Sequence, residues 1–400
     1  MTDQQRQISR KFLAYKVFTN LWFVSAVWLY FYRIFITDQQ VGILDGLAFA
    51  IGLIAEVPSG ALADKFGRDK LVRLGQILAG CGLLIQAVGS SFLPFVVGQA
   101  IMMIGVALVS GADEALFFEK LKFENNSKDW RKLLTQGSQI ALIGTLVTTI
   151  LGGWLHTINP RIPWILNGSA FIIAALLVWS VKDERPKKAR QDFLPELKEY
   201  LVDIKTGFKQ FLTPKFRSYV PYILAVQGLF YTTGYGLLRL ILLDRFHFDP
   251  FWGAIAISSS SLITVGLLAY MNRNADNLSE KRILVLIGVA AAASLLLSLA
   301  DIGPFGYLVI LTLYAGEHIL QPFISEVLNN RAPEDQRATV LSVASFLKNL
   351  PYVLLAPIIG YLNTNGQLEY FLLAWATFIV GSVVLYLFTK KKDSHIDLTD

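Results

Sequence analysis

The chain of 400 residues is 54% hydrophobic and 16% charged, where a soluble domain carries about 25% charge, so an ordinary soluble enzyme is excluded. Its net charge of +6 does not describe a nucleic-acid surface, because the basic residues are bunched between long apolar runs. One cysteine, Cys81, rules out an internal disulfide framework, and the histidines at 156, 247, 318 and 395 lack metal-ligand spacing.

Most of the apolar runs exceed the ~18 residues that mark a membrane span. Twelve spans are predicted, at 12–36, 41–63, 71–90, 94–118, 132–157, 162–181, 216–243, 250–271, 283–300, 304–328, 339–363 and 366–389. All of the 36 Lys and Arg except Arg33, Arg161, Arg239, Arg245 and Lys348 then fall on one side. That side is the cytoplasm by the positive-inside rule, which places both termini there. The first span follows a polar lead and has no small-residue cleavage site, so it reads as a retained helix.

Aromatic residues crowd the first span, Trp28 and Tyr30 among them. Facing inward they suit a flat apolar or cationic ligand by stacking and cation–π attraction; facing outward they form packing or the interfacial belt. Arg33 lies near the outer end of this span, five residues before Asp38. In the second span Glu56 sits within Ile54-Ala55-Glu56-Val57-Pro58. An ionisable group in mid-membrane costs about 2.5–3.5 kcal/mol. Glu56 therefore reads as a proton carrier, or as a structural hydrogen bond beside the Pro58 bend.

Between the second and third spans the chain reads Gly60-Ala-Leu-Ala-Asp64-Lys65-Phe-Gly67-Arg68-Asp69-Lys70. This resembles the signature loop between helices 2 and 3 of the major facilitator superfamily, written G-x-x-x-D-R/K-x-G-R-K. Gly60, Asp64, Lys65, Gly67 and Arg68 stand on its positions. Asp69 replaces the usual second base, with Lys70 and Arg73 close enough to restore the charge. The resemblance implies that Asp64 and Arg68 lock a closed state at the cytoplasmic face. Glu119 and Arg131 are expected to complete that charged cluster.

The fourth span carries Asp113 and Glu114. Adjacent residues on a helix point about 100° apart, so the two are read as having different targets. One is a candidate for proton or substrate work, and the other pairs with a neighbour. Many drug exporters of this superfamily place an arginine in mid-helix 4, and this chain has none. In the fifth span Gly152-Gly153 match the end of the antiporter signature, while Thr148-Thr149 replace its Gly-Pro.

A linker at 182–215 then separates an N-terminal six-helix bundle, 1–181, from a C-terminal bundle and tail, 216–400. Within it Leu197, Tyr200, Leu201, Ile204, Phe208 and Phe211 recur at helical spacing, which predicts an amphipathic helix on the inner membrane surface.

The second half echoes the first. Arg239 precedes Asp244 as Arg33 precedes Asp38, and Asn329-Asn330 before Arg337 matches Asn125-Asn126 before Arg131. Arg33 and Arg239 are read as an outer gate, or as anchors that snorkel to the interface. Tyr231 and Tyr235 repeat the aromatic theme of the first span. In the tenth and eleventh spans, Glu317 and Lys348 make either a switchable pair or a permanent bridge. His318 and Lys348 are also candidates for the substrate cavity, His318 being otherwise a packing residue.

The fold class expected is an all-α polytopic membrane protein with twelve helices in two pseudo-symmetric bundles. The resemblance, to the drug-efflux-like bacterial branch, implies a transporter cycling by alternating access. Its expected work is proton-coupled efflux of small hydrophobic or cationic compounds, with the proton gradient as energy source and no cofactor or metal. The expected partners are the substrate, protons and the lipid bilayer of the cell membrane, for a monomer without nucleic acid. The alternatives are a proton-coupled importer of a sugar or other polar metabolite, and a non-transporting receptor or scaffold on the same fold.

Overall fold

In a computed structural model, which describes residues 3–123, 130–183, 207–234, 236–273 and 279–396, the described elements are all helices. Two compact units form, Met1–Ile36 with Leu47–Glu199, and Thr37–Gly46 with Tyr200–Asp400.

The first unit begins with α1, Asp3–Thr19, and α2, Trp28–Arg33. The single span expected at 12–36 is therefore broken. Side chains cause the break: Thr19 Oγ1 donates to the Tyr15 carbonyl at 3.0 Å, and the Asn20 amide donates to the Lys16 carbonyl at 2.8 Å. They occupy acceptors that the next turn of helix would use. Next come α3, Asp38–Phe66, α4, Arg68–Val88, and α5, Phe92–Val109.

The fourth span is also split, into α5 and α6, Ala112–Phe123. Gly111, at φ +71°, turns the chain through the left-handed region that a Cβ disfavours. The unit closes with α7, Trp130–Ile158, and α8, Ile162–Val178.

Small residues set the helix contacts. Gly75 and Gly82 of α4 lie against the carbonyls of Gly105 and Gly98 in α5, and Gly80 lies against Gly168 of α8. In lipid, burial of apolar area drives little, so close backbone approach and dispersion hold such helices together. An aromatic cluster of Phe31, Tyr32, Phe95 and Trp164 fills one end of the unit, and Phe12, Tyr15 and Phe117 fill another layer.

In the second unit the expected span 216–243 is several pieces: α9, Pro214–Arg217, α10, Tyr219–Tyr222, a π-helical turn at Ile223–Gln227, α11, Gly228–Gly234, and α12, Leu237–Arg245. The longer helices are α13, Pro250–Arg273, α14, Glu280–Leu297, α15, Tyr307–Arg331, α16, Arg337–Thr364, and α17, Leu368–Ile396. α14 packs along α17, α13 along α15, and α11 along α16. The Asp38 end of α3 belongs here: Gly42 and Gly46 bring it onto the Ala356 and Val353 carbonyls of α16.

Seven helices of the described residues are long and apolar enough to cross a membrane, so the fold is that of an all-α polytopic membrane protein. Of the other expected spans, the sixth is the 17-residue α8, the first and seventh are broken, and the second is the continuous 29-residue α3. Of the expected surface helix, 184–206 lies outside the described residues. Phe208 packs edge-on to Phe346 of α16, and Phe211 is buried against Phe216. Those two positions face protein instead of lipid headgroups.

Candidate functional site

The second unit holds polar groups where an apolar interior makes them costly. Asp45 of α3 is only 5% exposed. The Tyr352 hydroxyl of α16 donates to its carboxylate and accepts the Leu237 amide N–H at 2.9 Å. One phenol thus serves a carboxylate and the first amide of α12, and its position explains the break at Gly236, whose backbone is extended. Asp45 went unnoticed in the sequence reading, although an acid inside the span at 41–63 was a usable signal.

The Tyr231 ring lies 5.9 Å from that of Tyr352, and the Lys348 ammonium sits 5.5 Å over Tyr231. Lys348 Nζ donates to Gln321 Oε1 at 3.1 Å. The expected direct pair with Glu317 is therefore not formed. Gln321 lies one turn along α15 from Glu317, and it takes the ammonium. Glu317 packs so tightly on the Gly234 backbone that a Cβ there would overlap the carboxylate, and its Oε2 is buried with no hydrogen-bond partner. Arg239 and Lys348 act on Glu317 through space.

Arg239 is buried in α12, which excludes the snorkelling alternative for it. Arg33 is half-buried at the end of α2. His318 Nδ1–H donates to the Tyr314 carbonyl, 2.9 Å away, and the ring stacks on that tyrosine, which is the packing alternative. A cavity opens beside this region, lined by Gln227, Gln321, Ser325, Ser345 and Lys348 with Ile324, Leu328, Leu341 and Ala344.

In the first unit two acids share one cation. Lys16 of α1 reaches Asp113 Oδ2 at 3.5 Å and Glu114 Oε1 at 2.9 Å. The expectation of separate targets is thus corrected: a long, flexible ammonium stem at the first turn of α6 bridges both. Trp28 lies edge-on to Tyr32, 6.1 Å away, and Tyr30 lies 6.5 Å from His156. Tyr32 itself is buried and donates to Gln86 of α4.

In the signature loop Gly67 takes φ +93°, and the Arg68 amide donates to Asp183 at 3.0 Å. Arg68 approaches Glu119 at 3.9 Å, as expected. Arg131 is exposed and makes no ion pair among the described residues, so it does not complete the cluster. Arg73 is bound to Asp69 at 2.7 Å. It neutralises the departing acid, where the sequence reading had it restoring the missing base. The side chains of Glu56, Gly60, Asp64 and Lys65, together with Tyr235, lie outside the described residues.

One cluster had no signal in the sequence. Glu280 of α14 accepts from Tyr219 at 2.6 Å, from Tyr386 at 3.0 Å and from Arg331 at 2.7 Å. Four elements meet there. Among the described residues no group of His, Cys, Asp or Glu is placed to hold a metal ion.

The profile of the Major Facilitator Superfamily matches residues 12–356. The chain belongs to that superfamily. It is a transporter and not an enzyme. Among relatives, it is 22% identical over 378 residues to the MFS-type transporter YxaM of Bacillus subtilis (strain 168), covering 89% of each chain. It is 23% identical over 359 residues to multidrug resistance protein 2 of the same organism, covering 86% of each. The crystal structure of nucleoside transporter NupG superposes with a TM-score of 0.71 at 14% identity, over 98% of this chain and 100% of that one; this likeness shows the fold alone. Membership accounts for the apolar helices and for the signature loop.

Proposed function

We propose that this transporter exports small hydrophobic or cationic compounds in exchange for protons. The observation that carries the reading is the pair of acids in the second unit, Asp45 and Glu317. Asp45 is matched only by a phenol, and Glu317 Oε2 is buried with no partner. A carboxyl group so placed is cheaper neutral than charged, which is what a proton carrier requires. Similarity to a multidrug resistance protein supports the direction of transport and the substrate class. Both termini lie in the cytoplasm, the protein works as a monomer in the cell membrane, and Glu56 and Asp113 remain candidates for a second proton site.

A polar-metabolite importer is the second reading, favoured by the amide and hydroxyl lining of the cavity at Gln227, Gln321, Ser325 and Ser345. Proteoliposomes with an imposed pH gradient and an internal pH dye separate the two. Proton flux on adding ethidium, lost in Glu317→Gln or Asp45→Asn, supports export. Flux with sugars or nucleosides alone moves the assignment to import. Flux unchanged in Glu317→Gln, Asp45→Asn, Glu56→Gln and Asp113→Asn removes all four acids from coupling.

A further inference from the structure

We propose that the cavity beside Lys348 binds the carboxylate of an amphipathic organic anion or zwitterion. This rests on the transporter reading and adds to its hydrophobic or cationic compounds apolar molecules that carry a carboxylate. A lysine inside a span is costly unless its charge is answered. Among the described residues Lys348 makes no ion pair: its hydrogen bond goes to the neutral Gln321 amide, and the Tyr231 ring lies under it. The Lys348 side chain lines the cavity with N–H donors to spare, since Lys carries three of them.

The rest of the lining fits the same ligand. Gln227 and Ser345 offer further neutral donors, while Leu328 and Leu341 form an apolar flank. One cation among neutral donors matches a single negative charge. A dianionic phosphate asks for more positive charge than this. Gln227 also ends the π-helical turn at Ile223–Gln227. Such turns are rare overall and frequent at functional sites, so the backbone is a second observation beside the charge.

The test is equilibrium binding to the purified full-length protein in lipid nanodiscs at pH 7.5, followed by calorimetry. The probes are 4-butylbenzoate and its neutral isostere 4-butylbenzamide. The benzoate is expected to bind at least tenfold more tightly. Lys348→Gln brings the two within about twofold of each other, and Lys348→Arg keeps most of the preference. Elution as a single species and an unchanged helical circular-dichroism signal establish that each variant is folded.

Equal affinities in the parent protein, or a preference that survives Lys348→Gln, overturn the proposal. Ethidium-driven proton flux on the same preparation reports on the exporter reading alone. Flux without benzoate preference removes only the anion site. Preference without flux removes the exporter reading and leaves the site.

Discussion

Tyr352 shows what one side chain does in this interior. Its hydroxyl is the partner of both the Asp45 carboxylate and the Leu237 N–H. Tyr352→Phe strands two buried polar groups, each costing about 1–3 kcal/mol. Thermal unfolding in detergent is expected to fall by several degrees, while Asp45→Asn costs less because its amide oxygen still accepts from the phenol. Asp301 makes the opposite case at the surface. His247 donates to or shares a proton with it at 3.0 Å, and the Gly303 N–H also binds it. The His247 bond, first, and then the backbone N–H hold its carboxyl below the usual carboxylate range. A lowered folded value adds stability above the unfolded value and loses it as pH falls through the folded one. The contribution thus disappears below about pH 4, and Asp301→Asn is expected to flatten that acid limb of the unfolding curve.

At the scale of elements, glycines decide how near the helices come, and polar side chains decide where they stop. Gly82 lies directly on the Gly98 carbonyl and the Met102 backbone, so nothing flexible can yield to a side chain there. Gly82→Leu is expected to separate α4 from α5 and to cost about 3 kcal/mol, with Gly82→Ala milder; unfolding midpoints of both variants check the order. The apolar pattern located the helices well, since α7 and α16 end within two residues of the spans expected at 132–157 and 339–363. It did not reveal the breaks. Asn20 and Thr19 end α1 by bonding its carbonyls, and both residues are compatible with a continuing helix until neighbours reward the turn. Phe23 is such a neighbour: its carbonyl rests on Gly152 of α7.

At the scale of the molecule, ion pairs form in both units, as at Glu280 with Arg331, and individual acids differ in whether they have one. Asp113 and Glu114 are held by Lys16, whereas Glu317 and Lys348 each face an environment without a direct ion pair. The latch-like loop keeps Arg68 near Glu119 at 3.9 Å, both partly exposed. Such a contact is worth at most about 1 kcal/mol. Arg68→Ala is therefore expected to leave the unfolding midpoint nearly unchanged, yet to slow proteoliposome flux several-fold if the loop times the cycle. A large loss of stability would show a structural role instead.

The sequence by itself determined the membrane class, the positions of most spans and the signature loop. These depend on hydropathy and charge summed over neighbouring residues, and such sums survive any arrangement of the helices. The tertiary structure alone decided who partners whom. Asp45 and Tyr352 meet across 307 positions of chain, Lys16 bridges two acids almost 100 positions away, and Lys348 turns to Gln321 instead of Glu317. Each choice depends on which side chains packing brings within about 3 Å, a distance that hydrogen bonding enforces and that local pattern does not encode.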